Sequence, residues 1–189
     1  MTSVLRDIRL HRGLERILID EETLRRRVDA LGEEISTFYA DGEPLLIGVL
    51  TGGFVFMSDL ARSMSIPLSV DFMAVSSYGD AANTSGVVRI MKDLDRTVEG
   101  RRILIVEDII DSGLTLNYLI DVLQRRKPAD IRLVALLKKD RPRTVDVAVD
   151  WVGFEIPDEF VVGYGLDYAG KFRNLPFIAI CSPDFIRDE

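Results

Sequence analysis

Between Asp20 and Ala40 the apolar residues Leu24, Val28, Leu31, Ile35 and Phe38 recur every three to four positions. That spacing lines one face of an α-helix and predicts one here. Asp20 stands where an N-cap belongs, and Arg25-Arg26-Arg27 reads as the solvated face. Beyond this helix the pattern changes to short unbroken apolar runs: Leu45–Leu50, Leu68–Val75, Ile103–Val106 and Ile131–Leu137. Runs of this kind suit strands that are covered on both faces. Between them, Phe54–Met64 and Thr115–Arg126 return to helical spacing. Strand and helix in alternation predict an α/β fold, a mainly parallel twisted sheet flanked by helices.

The tail is patterned differently. From Trp151 onward Gly, Pro and short apolar pieces (Trp151–Ile156, Phe160–Val162, Phe177–Ile180) predict a small β-rich subregion built onto the α/β core. No repeat, low-complexity tract or Ser/Gly linker divides the chain. Residues 1–189 are therefore expected to form one domain, with an α/β core at about 38–139 and a hood from about 1–20 and 140–189.

A chain of 189 residues can bury a sizeable core without metal or disulfide staples. Its single cysteine, Cys181, cannot form an internal disulfide and fits a reducing, cytoplasmic compartment. Met1 to Gly13 mixes Arg6, Asp7, Arg9 and Arg12 with single apolar residues, so no signal peptide is expected. The longest uncharged stretch, Pro44 to Ser58, is too short to span a bilayer. The net charge of −7 argues against a nucleic-acid partner, which needs a basic footprint. An acidic protein that takes a phosphate substrate needs a metal ion, backbone N–H donors, or both. The lone histidine, His11, excludes a His-based triad or zinc site.

The densest candidate chemistry lies in Ile103 through Thr115. Four apolar residues give way to Glu107 and Asp108, and the loop Asp111-Ser112-Gly113-Leu114-Thr115 leads straight into a helix. In an open α/β sheet ligands bind at the C-terminal edge of the strands. A helix N-terminus there presents outward N–H groups and a dipole that favours an anion. Gly113 lets the backbone come close, and Ser112 and Thr115 add hydroxyls, so the loop suits a phosphate monoester. It is not a Walker A loop, and Gly163-Tyr164-Gly165 lacks the third glycine of a dinucleotide fingerprint. Leu50-Thr51-Gly52-Gly53 is a second tight turn that opens a helix.

The order of three acids, two hydroxyls and a glycine resembles the phosphoribosyl-diphosphate-binding motif of type I phosphoribosyltransferases. From about Leu45 to Ile180 the chain resembles the hypoxanthine-guanine branch of that family. The resemblance implies that Glu107 and Asp108 hold the ribose hydroxyls and help bind Mg2+. It makes Asp111 the general acid/base at purine N7, and wraps Asp111, Ser112, Gly113, Leu114 and Thr115 around the 5′-phosphate. Leu50-Thr51-Gly52-Gly53 matches the pyrophosphate loop, where a non-proline cis peptide, here Leu50–Thr51, turns N–H groups toward the diphosphate. Several relatives carry Lys at the position of Thr51.

By the same resemblance Lys139 donates to the purine O6, Phe160 stacks on the base and the Val161 backbone reads the purine edge. Asp167 binds magnesium directly or through water, and Arg173 meets the pyrophosphate. Ser77 and Tyr78 belong to a lid, Ser76 to Gly86, that closes over the diphosphate. Taken alone, these residues have plainer readings: a strand-end lysine such as Lys139 or Lys138 is ordinarily solvated, Phe160 is core, and Arg173 is a surface cation.

The implied activity is phosphoribosyl transfer from phosphoribosyl diphosphate to a 6-oxopurine base, by a homodimer or homotetramer without nucleic-acid or membrane partners. Two alternatives stay open at this point. One is a xanthine-preferring transferase. The other is a nucleotide-sensing regulator that binds RNA or DNA, against which the acidic charge counts.

Overall fold

The computed structural model describes residues 13–77, 88–142, 144–182 and 185. A six-stranded sheet runs in the order β4-β3-β2-β5-β6-β7. Its strands are β2 (Leu45–Leu50), β3 (Ser69–Ser77), β4 (Val88–Lys92), β5 (Arg102–Ile110), β6 (Asp130–Lys139) and β7 (Trp151–Ile156). All neighbours pair in parallel except β3 and β4.

Alternation along the strands explains the unbroken apolar runs. Leu46, Leu104, Val106, Val134 and Leu136 point to one face, where they join Leu24, Val28, Leu31 and Ile35 of α1 (Glu21–Phe38) and Phe56, Met57 and Leu60 of α2 (Phe54–Ser63). Their neighbours Leu45, Ile47, Ile103, Ile105 and Leu133 point to the other face and meet Leu116, Leu119 and Leu123 of α3 (Leu114–Gln124). Successive side chains on a strand face opposite ways, so a strand covered on both sides must be apolar throughout. Asp20 caps α1 as its sequence position predicts, its Oδ1 accepting from the Thr23 N–H at 2.7 Å.

A second sheet of three antiparallel strands, β1 (Leu14–Ile19), β9 (Ile178–Cys181) and β8 (Val161–Val162), forms the hood in the order β1-β9-β8. Two features differ from the pattern reading. Trp151–Ile156, grouped by composition with the tail, is the edge strand β7 of the main sheet, with Val134 opposite Trp151 and Lys139 opposite Ile156. Asp150 anchors its start, taking the Leu133 N–H on Oδ2 at 2.8 Å. Arg27 is the second. Its guanidinium donates to the carbonyls of Val152 (2.8 Å) and Gly153 (3.1 Å). It covers carbonyls of an edge strand, which would otherwise be open to pairing with another chain. Arg25 and Arg26 stay exposed.

Candidate active site at the switch point of the sheet

The chain leaves β2 for β3 on one side and returns to β5 on the other, so the strand order reverses between β2 and β5. In open α/β sheets the crevice at this reversal is the ligand site. The C-terminal ends of these two strands carry the two loops singled out by sequence, Leu50–Gly53 and Glu107–Thr115.

β5 runs further than its apolar run predicts, through Glu107 and Asp108 to Ile110. Its pairing with β2 stops at Val106, opposite Gly48, while its pairing with β6 continues to Ile110, opposite Lys138. The carboxylates therefore sit on a strand held firmly on one side and open toward the crevice on the other. The Asp108 side chain is buried and accepts the Ile109 N–H on Oδ1 at 2.8 Å. Oε2 of Glu107 is buried without a hydrogen-bond partner. Burial, reinforced by the neighbouring Asp108, holds the Glu107 carboxyl well above its ordinary range. Burial also raises Asp108, against the opposing pull of the Ile109 N–H. Two acids in this state can accept a cation or sugar hydroxyls, which would satisfy the oxygen left orphaned.

Leu50–Thr51 is a cis peptide. Gly52 follows it directly against Asp108, where a Cβ would collide with Oδ2. Gly53 then opens α2, whose first turn carries no acidic residue. The phosphate-type loop is built alike. Gly113 has a left-handed backbone (φ +79°) at the N-cap of α3, without a side-chain cap and without an acid in the first turn. The Ser112 carbonyl is tied to the Val145 N–H at 3.1 Å. Neither helix carries an acid in its first turn, and Gly52 and Asp111, in the loops that lead into them, line one crevice, an arrangement that suits an anion.

The facing wall comes from β6 and the hood. Gly52, Asp108, Asp111, Lys139, Phe160 and Asp167 line a cavity of about 300 Å³ together with Ile109, Val161, Leu166 and Arg173. Lys139 is only 12% exposed and pairs with Asp158 Oδ1 at 3.1 Å. Lys138 instead pairs with Glu155 at 3.0 Å. Strand parity separates two lysines that sequence alone leaves interchangeable. Phe160 is 44% exposed and meets Tyr168 edge-on at 5.7 Å.

Arg173 donates to the Gly165 carbonyl at 2.6 Å and pairs with Asp167 Oδ1 at 2.7 Å, while Asp167 Oδ2 accepts from the Gly170 N–H at 2.7 Å. Among the described residues no group of three or more His, Cys, Asp or Glu stands together as a metal cluster. Asp167 is engaged by Arg173 in this state. Sequence missed two side chains, Asp158 and Arg141, that contact Lys139 and Asp111 of the lining. Arg141 pairs with Asp111, and with Asp158 Oδ2 at 3.2 Å. Tyr78 and the rest of the lid through Gly86 lie outside the described residues, as do His11 and the side chain of Ser77.

The chain belongs to the phosphoribosyl transferase domain family, whose family model matches residues 15–169. It is 53% identical over 170 residues to the hypoxanthine-guanine phosphoribosyltransferase of Bacillus subtilis, covering 90% of this chain and 94% of that protein. Among solved structures, a hypoxanthine phosphoribosyltransferase from Staphylococcus aureus is 40% identical with a TM-score of 0.89, covering 98% of each chain. The Trypanosoma cruzi hypoxanthine phosphoribosyltransferase in a ternary substrates complex is 38% identical with a TM-score of 0.87, covering 94% of this chain and all of that one. Among the described residues, no helix is long and apolar enough to cross a membrane.

Proposed function

We propose that this protein is a purine salvage enzyme. It transfers the 5-phosphoribosyl group from phosphoribosyl diphosphate to hypoxanthine or guanine, giving IMP or GMP and pyrophosphate. The observation that carries the reading is the cavity at the switch point. It brings the largely buried Lys139 and the half-exposed Phe160 together with Asp108 and with Gly52 and Asp111 from the loops that lead into α2 and α3. The names of the similar proteins support the same reaction.

In this reading the N-terminus of α3 with Ser112, Gly113, Leu114 and Thr115 holds the 5′-phosphate. Thr51 and Gly52 present backbone N–H groups to the diphosphate, Gly53 turns the loop into α2 with its own N–H on the Val49 carbonyl (3.2 Å), and Arg173 neutralises part of the diphosphate charge. A purine nitrogen forms its bond to ribose C1 as the bond from C1 to the diphosphate oxygen breaks. Lys139 donates to O6 of the base, Phe160 packs on its ring, and the Val161 backbone reads its edge. Asp111 takes up or returns the proton at N7. Most of the rate comes from positioning and preorganised charge.

Glu107 and Asp108 would hold Mg2+, with Asp167 joining from the hood once Arg173 turns to the diphosphate. The orphaned Glu107 oxygen fits this, because magnesium usually takes one or two protein carboxylates and completes its shell with water and substrate oxygens. When bound, the ion would offset the charge of the departing diphosphate. The reading also includes cytoplasmic residence and assembly as a homodimer or homotetramer.

The test is turnover by the purified protein with magnesium and phosphoribosyl diphosphate, following pyrophosphate release with each nucleobase. Hypoxanthine or guanine should react and adenine should not, because the 6-amino group would leave a buried ammonium donor facing another donor. Efficient use of adenine would overturn the assignment.

A further inference from the structure

Asp111 and Lys139, the two side chains that the proposed reaction aims at the base, are linked by a second cation. Arg141 pairs with Asp111 through Nη2, and its Nη1 lies 3.4 and 3.2 Å from the two oxygens of Asp158. Asp158 Oδ1 is also the oxygen that Lys139 Nζ reaches at 3.1 Å. The order of contact is Asp111, Arg141, Asp158, Lys139.

The guanidinium is committed to this place. Its backbone N–H donates to the Lys139 carbonyl at 3.1 Å, so it rides on the same turn as the lysine. Its Nε is buried without a hydrogen-bond partner. A buried donor left unmade opposes such a placement, and the two carboxylates are what offset it. Asp158, for its part, is held ionised chiefly by Lys139 and then by Arg141.

Resting on the 6-oxopurine reading above, we propose that Arg141 is a positioning residue for the base half of the reaction. It fixes the Asp111 carboxylate at the pocket and ties its placement to that of Lys139 through Asp158. When a 6-oxo group draws Lys139 away from Asp158, Nη1 of Arg141 still holds both Asp158 oxygens, and its Nη2 keeps Asp111 placed for N7. A forked, planar guanidinium can bridge two carboxylates in this way, whereas a lysine ammonium is a single point charge.

The experiment is steady-state kinetics on Arg141→Ala and Arg141→Lys, with Arg141→Ala repeated in an Asp111→Asn background and unfolding temperatures measured throughout. Arg141→Ala should lower kcat by roughly 10- to 100-fold, the scale of a misplaced reacting group, with KM for phosphoribosyl diphosphate and the unfolding temperature unchanged. Arg141→Lys should recover part of the loss. In the Asp111→Asn background Arg141→Ala should cost nothing further, since residues acting as one unit are not additive. An unchanged kcat in Arg141→Ala overturns the proposal. So does a loss that adds in full to that of Asp111→Asn, or a folded Arg141→Lys that recovers nothing. In those three cases the 6-oxopurine reading survives. A wild-type protein that converts no 6-oxopurine removes that reading, and this proposal with it.

Discussion

The Asp108 carboxylate occupies the space that Gly52 leaves by having no side chain. A Cβ built on Gly52 would fall on Asp108 Oδ2, well inside van der Waals contact. The contact joins the pyrophosphate-type loop after β2 to the carboxylate strand β5 across the switch point. Between the two loops there is no room for a side chain at residue 52.

Gly52→Ala should therefore be far worse than an ordinary glycine substitution on a surface turn. Either Asp108 or the loop must move, and both belong to the proposed diphosphate site. Overpacking of this kind costs about 1–3 kcal/mol, and activity should fall more steeply than stability. A variant with wild-type kcat/KM and an unchanged unfolding midpoint would mean that the two loops are not in contact in solution.

The two buried carboxyls predict an unusual pH dependence of stability. Glu107 and Asp108 are raised in the folded protein, chiefly by burial. The folded state thus keeps protons that the unfolded chain has already released. Stability then declines as pH climbs from the ordinary carboxylate range toward the raised range of the pair. In chelator, Glu107→Gln should flatten that decline and be more stable than wild type at neutral pH. Parallel curves for the two proteins would show that Glu107 is ordinarily ionised.

Asp111→Asn keeps the shape of the loop and removes the proton-carrying group. A drop in kcat of roughly 10²–10⁴ is expected, the usual contribution of general acid/base catalysis, with affinity for phosphoribosyl diphosphate little changed. Single-turnover and equilibrium binding measurements separate the two quantities. A near-normal rate would move proton handling to another group.

How far the sequence carries can be followed element by element. Leu45–Leu50 is legible to the residue because both faces of β2 are buried, and the run ends where burial ends. β5 is legible in position but not in length, since Glu107 and Asp108 break its apolar run and pairing with β6 carries the strand through them to Ile110. β7 resembles the hood strands in composition, and only its pairing with β6 assigns it to the main sheet. Arg27 reads as one of three solvated arginines because its acceptors, Val152 and Gly153, lie more than a hundred residues away in sequence. Arg141 and Asp158 escape notice for a related reason. Their ion pair joins two turns 17 residues apart, and neither turn carries a pattern that specifies the other.

Phe160 and Phe177 provide a paired test of where the hood is functional and where it is structural. Both rings lie near the hood strands, one before β8 and one before β9, and each opens a short apolar piece of the tail. The structure separates them: Phe177 is 2% exposed within its own buried cluster, whereas Phe160 is 44% exposed on the cavity wall. A ring left half in water adds little to folding, and its edge-on contact with Tyr168 leaves a face free for a planar base. Phe160→Ala should then leave the unfolding temperature nearly unchanged while weakening base binding by about 1–3 kcal/mol, the scale of base–aromatic stacking. That would be read as a rise in KM for the purine of roughly tenfold to a hundredfold, without a matching rise for phosphoribosyl diphosphate. Phe177→Ala should do the reverse, destabilising by about 3–5 kcal/mol as a core cavity does, while the fraction still folded keeps its KM for the base. If Phe160→Ala instead unfolds the protein with base affinity intact, the ring is packing rather than a platform, and the hood wall of the site has been assigned to the wrong residue.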